Sequence, residues 1–348
     1  MATIKDVAAI AGVSFTTVSH VVNNSRPVSA DVRAKVERAI SQLNYVPSAV
    51  ARSLKARATA TIGVVVPNSM NPYFAELARG IEDGCAREGY CMFFCNSDDD
   101  PAKQRHYLRT LREKRIDGLV IASAGDDAVL AQSLADANEP LVIVDRNIAG
   151  LEADFVQIDH ERGAYLATRH LLELGHVRIG CITGAVSTAV SAMRLHGFIR
   201  ALAERGIEIP PAAIVEGDFS AAGGQAAAAR LFDAFEPTAI FACNDMMGIG
   251  ALRVAAERGI RVPAQCSVIG FDDLEIGAYT YPALSTVGDS VRALGEAAAQ
   301  TLIERISGAQ SGGPRRRLVS PRLVLRESTA VCAGTAASDP DRADAVCA

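Results

Sequence analysis

From Thr61 onward one unit repeats: a short run rich in Val and Ile, a turn, then an amphipathic helical stretch. A strand that re-enters its sheet through a crossover helix runs parallel to its predecessor. Parallel strands are covered on both faces, so they read as continuous apolar runs and do not alternate. The first series of strands is 62–66, 91–95, 118–122 and 141–145, with helices near 74–88, 101–115 and 127–137. The second series is 179–183, 214–216, 239–243 and 268–271, with helices near 160–174, 191–205, 221–235 and 245–258. Two such series predict an α/β body of two doubly wound parallel-sheet lobes. At 348 residues the chain is more than twice the ~150-residue scale of a domain, which leaves room for a smaller unit in front.

That front unit differs in charge. Residues 1–60 carry eight Lys and Arg against three Asp and Glu, while the remainder carries 27 against 37. A cationic head on an anionic body places any polyanion affinity in the head, because releasing phosphate counterions is the main nonspecific drive for DNA binding. Thr3 and Asp6 frame a capping box, Val7 and Ile10 supply an apolar face, Gly12 permits a tight turn, and Ser14 caps a second helix reaching about Val22. A third helix, capped by Ser29, carries Val32, Val36, Ile40 and Leu43 at helical spacing. This helix-turn-helix pattern exposes Phe15, Thr16, Thr17 and His20 for base edges in a major groove, and assigns Ser14, Thr17, Ser19, Asn23 and Asn24 to phosphates.

The segment from Asn44 to Lys55 reads as a linker and an isolated two-turn helix, too short to persist alone in water. A twin helix and a DNA minor groove would hold it, with an Ala face that includes Ala51 against the twin, Leu54 as a wedge, and Arg52, Lys55 and Arg57 on the backbone. Thr3 and Arg26 complete the expected DNA contacts.

Other classes are disfavoured. Charged residues make up 22% and AVILMFWYC residues 49%, with no Trp, and no apolar run approaches the ~18 residues of a spanning helix. The start lacks the apolar core of a secretory signal, so a cytoplasmic protein is expected, and an exported binding protein fits poorly. Eight cysteines include no C-x-x-C pair, and reduced, mostly buried thiols are expected. No P-loop, G-x-S-x-G or H-E-x-x-H is present; Gly248-Ile249-Gly250 is a weak dinucleotide fragment because Arg253 stands where a third small residue belongs. Asp98, Asp99 and Asp100 read as a solvated helix start and not a metal site. Neither enzyme activity, a cofactor nor a metal is expected.

In open parallel sheets ligands sit beyond the carboxyl ends of the strands. Asn71, Tyr73 and Phe74 follow the first strand, Asp145 and Arg146 the fourth, Phe219 the strand at 214, Asn244 the strand at 239 and Asp272 the strand at 268. Arg194 lies early in the helix after 179–183. Rings with carboxylates, amides and guanidinium groups suit a small polyol.

ATIKDVAAIAGVSFTTVSHVVNN and NYVPSAVARSLK resemble the head and hinge of the lactose-repressor family, nearest its ribose and purine branches. NPYFAELARGIE, VDRN, CITG, MRLHGF, GDF, CND and IGFDD resemble its periplasmic-binding-protein-like sugar core, and the likeness spans about residues 2–330. It implies a homodimeric repressor that reads a palindromic operator and is controlled by a small sugar, ribose or a similar pentose, held between the lobes. Phe15, Thr16 and His20 fall at base-reading positions and Leu54 at the minor-groove lever. Asp289 joins the pocket where the family often has Gln. Thr188 and Val190 replace the Arg and Thr of the purine branch, which places a purine, like another sugar, as an alternative effector behind the pentose. The implied layout is a head at 1–46, a hinge at 47–59 and a body at 60–330. Lobe 1 is 60–158 with 290–317, lobe 2 is 159–288 with 321–330, and the 331–348 tail, Ala, Asp, Gly and Ser rich, is expected to be disordered.

Overall fold

The computed structural model describes residues 2–47, 58–122, 131, 132, 134, 139–145, 151, 153–185 and 188–333. The expected hinge residues Ala51, Leu54 and Lys55, most of the helix near 127–137, Arg146, and the tail from 334 onward lie outside them. The chain divides into two compact units, one before Ala60 and one from Ala60 on.

The first unit holds helices α1 (Ile4–Ala11), α2 (Phe15–Val22) and α3 (Ala30–Leu43). Val7, Ala8, Ala11, Val18, Val21, Val36 and Ala39 form its core. Ile10 is not part of it and is 47% exposed. The stripe of α1 that meets α3 runs through Val7, Ala8 and Ala11, and Ile10 lies beyond its edge. Ser29 occupies the N-cap of α3 without a side-chain hydrogen bond.

The second unit confirms the α/β body and adds strands that the apolar runs did not mark. Its first sheet has six parallel strands in the order β11-β5-β4-β3-β1-β2. These are β1 (Thr61–Val66), β2 (Cys91–Asn96), β3 (Gly118–Ile121), β4 (Leu141–Val144), β5 (Asp154–Ile158) and β11 (Arg316–Val319). Ile62, Val64 and Val66 face one cluster, with Leu77 and Ile81 of α4 (Pro72–Arg87) and Leu294 and Leu302 of α10 (Val291–Ile306). Val65 faces a separate cluster with Leu108 and Leu111 of α5 (Pro101–Glu113). One strand thus serves two cores, as a doubly covered sheet requires. Asp100 caps α5 by accepting the Ala102 N–H at 2.8 Å, the role expected of that acidic loop.

The second sheet has four parallel strands in the order β7-β6-β8-β9, namely β6 (Ile179–Thr183), β7 (Ile214–Glu216), β8 (Ala239–Ala242) and β9 (Ser267–Ile269). Helices α6 (His160–Glu173), α7 (Ala189–Ala203), α8 (Ala221–Ala234) and α9 (Asp245–Glu257) accompany it. The chain passes between the sheets three times. It leaves β5 for α6, returns with α10 to α4 and the first sheet, and passes from β11 to β12 (Arg322–Val324), which pairs antiparallel with β10 (Thr286–Gly288). The return is anchored by Asp154 in β5, whose carboxylate accepts Nε and Nη2 of Arg305 at 3.0 and 2.7 Å and the Arg315 N–H at 2.8 Å. Burial pushes the Asp154 carboxyl up, but these three donors outweigh it and hold it below its ordinary range.

Cys85, Cys181, Cys243 and Cys266 are buried free thiols, whereas Cys91 is exposed. Among the described residues no group of His, Cys, Asp and Glu is arranged to hold a metal, and no helix is long and apolar enough to cross a membrane.

Candidate functional site

In the head, local sequence sets the angle of α2. Thr3 accepts the Asp6 N–H at 3.4 Å and the Asp6 carboxylate accepts the Thr3 N–H at 2.8 Å, fixing the start of α1. Gly12 ends it at φ 64°, with open space where a Cβ would stand, so the left-handed backbone alone demands glycine. Ser14 then caps α2 by accepting the Thr17 N–H at 3.1 Å. This leaves Phe15, 60% exposed, and Thr16 on the outer face. Thr17, Ser19 and His20 are half-buried, less free than expected. Thr17 meets the Ser14 hydroxyl at 2.9 Å, and His20 Nδ1 lies 2.9 Å from Ser25 Oγ. Asn23 donates back to the Ser19 carbonyl at 2.9 Å, and Arg26 is exposed.

In the body, eight expected residues lie at or beyond the carboxyl ends of strands from both sheets. Asn71 caps α4 by accepting the Tyr73 N–H at 3.1 Å, which brings Tyr73 inward. The Tyr73 hydroxyl donates to Asp145 Oδ2, while Asp145 Oδ1 accepts the Ile158 N–H at 3.1 Å. Phe74 is half-buried and meets Tyr73 edge-on, with centroids 5.1 Å apart. From the second sheet, Arg194 Nη2 donates to Asp272 Oδ1 at 2.8 Å, its Nη1 donates to the Cys243 carbonyl, and its guanidinium lies 3.8 Å from the Phe271 ring centroid. Asn244 caps α9 and donates to the Phe219 carbonyl at 3.0 Å. Phe219 adopts φ 65°, an uncommon state for a bulky residue, and sets its ring over Gly184, where a Cβ would fall 2.1 Å from the ring.

Two further residues complete the arrangement: His160, which lies in no quoted motif, and Asp245, the last residue of the CND stretch. His160, 1% exposed, bridges its halves: Arg194 Nε and Nη2 lie 3.3 and 3.2 Å from His160 Nδ1, and His160 Nε2 lies 3.2 Å from Asp145 Oδ1. Asp245 fixes the 271–274 loop, accepting the Leu274 N–H at 2.7 Å and the Thr286 hydroxyl at 2.5 Å. The sequence signal for His160 is the Asp159-His160 pair directly after β5, a strand whose Asp and Gln hide it from an apolar pattern. Asp289 makes no contact with this network; it accepts the Ser290 N–H at 3.0 Å and stands 3.9 Å from Arg322.

Burial dominates the electrostatics. It pushes Asp272 up to about 7, against the opposing pull of Arg194 and with help from Asp145. It holds Asp245 well above the carboxylate range and His160 below its ordinary value. The site therefore offers a fixed guanidinium, a permanently oriented carboxylate acceptor, and a second carboxyl poised to change charge near neutral pH.

Comparison with known proteins agrees with both units. Residues 3–48 match the lacI family of bacterial regulatory proteins, and residues 168–329 match the periplasmic binding protein-like domain. The HTH-type transcriptional repressor PurR of Aliivibrio salmonicida (strain LFI1238) is 43% identical over 332 residues, 94% of this chain and 99% of the relative. Among solved structures, the lac repressor dimer bound to operator and the anti-inducer ONPF is similar with a TM-score of 0.85 and 32% identity, over 94% of this chain and 99% of that one. A LacI family transcriptional regulator from Enterococcus faecium with bound ribose has a TM-score of 0.71 and 31% identity over 78% of this chain and 99% of its own. The cationic three-helix head, the two-sheet body and these near-full-length likenesses agree: the chain belongs to the lacI family of DNA-binding transcriptional repressors and is not an enzyme.

Proposed function

We propose that two copies of this repressor bind a palindromic operator through Phe15, Thr16 and His20, and that a small effector held by Arg194, Asp272, Asp145 and Asn244 sets the operator affinity. One observation carries the reading: the buried Arg194–Asp272 pair, in line with His160 and Asp145, joins the strand ends of both sheets. A ligand that enters this line of contacts changes the relation of the two sheets. An operator coupled to that relation then feels the ligand through its different affinity for the two arrangements. Symmetry of a dimer requires symmetry of its site. Leu54 remains the proposed minor-groove wedge, and the cytoplasm the proposed compartment.

Whole-chain likeness to repressors named PurR ranks a purine first as effector, with the rings of Tyr73, Phe74 and Phe219 as its platform. A pentose is the second reading. Thr188, which stands where the purine branch carries Arg, is consumed in capping α7 by accepting the Ser191 N–H at 3.3 Å, and the ribose-bound relative shares the fold. Calorimetry of the full-length protein with hypoxanthine, guanine and D-ribose, followed by operator titration with and without whichever binds, tests both. Binding of one that shifts operator affinity tenfold or more supports the reading; binding that leaves operator affinity unchanged defeats it.

A further inference from the structure

His160 opens α6 at the point where the chain leaves β5, and it is fully enclosed, with its ring centroid 5.9 Å from that of Phe271. A guanidinium donates and never accepts. The two Arg194 nitrogens facing His160 Nδ1 at 3.3 and 3.2 Å therefore require a lone pair there, and the proton of the neutral imidazole must sit on Nε2. The charged groups around the ring are Asp145, Arg194, Asp159 and, through Arg194, Asp272. An imidazolium would have to turn an N–H against the Arg194 cation, and burial adds to that penalty.

Nε2–H has no hydrogen-bond partner among the described residues. Asp145 Oδ1, though 3.2 Å away, is off the direction of the N–H, and it already receives Ile158 N–H while Oδ2 receives the Tyr73 hydroxyl. A buried donor without an acceptor is costly, and native structures retain one mainly where something else satisfies it. A second side chain in the same condition, Thr183 Oγ1, is fully buried at the carboxyl end of β6, where the strand ends face ligand.

We propose that His160 is a specificity-determining effector contact: Arg194 locks its ring in the Nε2–H form, and the effector supplies the acceptor that this N–H lacks among the described residues. The selected chemistry is a hydroxyl oxygen, carbonyl oxygen or unprotonated ring nitrogen at that point, and a ligand that turns an amine or ammonium there is rejected. The inference deepens the proposed function, and rests on this network being the effector site. It makes Arg194 an indirect selector as well, because the guanidinium decides which edge of the imidazole is the donor.

Imidazole 1H–15N correlation spectra of the 15N-labelled full-length protein, with the His160 signals assigned by their loss in H160N, test the lock. The expected pattern is neutral Nε2–H from pH 6 to 8, disturbed in R194M; an Nδ1–H or imidazolium pattern at pH 7 overturns it. Calorimetry with hypoxanthine and D-ribose tests the contact. Asn can still offer Arg194 an acceptor near the Nδ1 position but does not reach the Nε2 position, so H160N should bind the wild type's ligand at least tenfold more weakly. H160Q, which can place an N–H near the Nε2 position, should recover part of the loss and serves if H160N does not fold. Equal affinity of H160N and wild type overturns the contact. If the wild type binds neither probe, the effector reading fails by itself, and the spectra still decide the lock.

Discussion

Arg194 Nη2 and Asp272 Oδ1 stand 2.8 Å apart, both side chains about 5% exposed or less, with the Phe271 ring beneath the guanidinium. An ion pair so enclosed loses much of its hydration, and its attraction only partly offsets that loss. Its retention is better explained by the job of holding donor and acceptor groups at fixed points than by stability.

Removing one partner should separate the two contributions. Arg194→Ala leaves Asp272 and the Cys243 carbonyl without their donor and should lower stability by about 3–5 kcal/mol. Well below its melting temperature the variant should bind operator like the wild type and ignore the effector. Paired denaturation and operator-titration curves check this, and a normal effector response would remove Arg194 from the site.

Acidity should act through Asp272 near neutrality. Its carboxyl is raised to about 7 by burial. Between about pH 4 and 7 the unfolded chain has released this proton and the native state keeps it, so the group lowers stability as pH rises through that window and has no further effect above it. Ionisation also completes the acceptor that faces the effector, so effector affinity should rise from pH 6 to 8. Asp272→Asn should flatten both profiles; profiles identical to wild type would assign the titration elsewhere.

Asp154 should act with the opposite sign. Its carboxyl lies below the ordinary range, since burial is outweighed by Arg305 and the Arg315 backbone donor. Its stabilisation is complete above the unfolded carboxylate value, about 4, and is lost as pH falls through the depressed native value. Arg305→Ala should cost about 3 kcal/mol, the lower end for a broken buried pair because Arg305 is 21% exposed. Arg305→Lys should recover part of that by keeping the charge without the two-pronged geometry. Melting curves from pH 3 to 7 check both variants.

These two carboxylates also show what the sequence could reveal. Asp272 follows an apolar strand, and a carboxylate after such a strand is legible as a site residue because parallel sheets place ligands there. Asp154 begins a strand that includes polar residues, so neither β5 nor its partner β11, with three Arg residues at 315–317, looked like sheet. Both are recognisable only once α10 has returned to the first sheet. Conversely, the run at 91–95 reads as a buried strand, yet β2 lies at the sheet edge with Phe93 and Phe94 44% and 40% exposed. Apolar pattern reports what can be buried, and neighbours distant in sequence decide what is. His160 is illegible in sequence for the same reason, since its meaning comes from Arg194 and Asp145, each contributed by a different part of the chain.

In the head, capping and reading should be separable on adjacent residues. Ser14 points its hydroxyl at the Thr17 N–H, whereas Phe15 turns a mostly exposed ring outward. Ser14→Ala removes a cap and should destabilise the head by about 1 kcal/mol. Ser14→Gly should cost only a few tenths, because glycine keeps the cap backbone geometry available. Phe15→Ala removes no core contact and should leave the melting of the head unchanged, while weakening the preference for operator over unrelated duplex by about 1–3 kcal/mol, the scale of one base-edge contact. Operator binding measured against bulk competitor DNA, beside thermal melts of the same proteins, distinguishes the two. If Phe15→Ala keeps full discrimination, the ring is not a reader and base recognition shifts to Thr16 and His20.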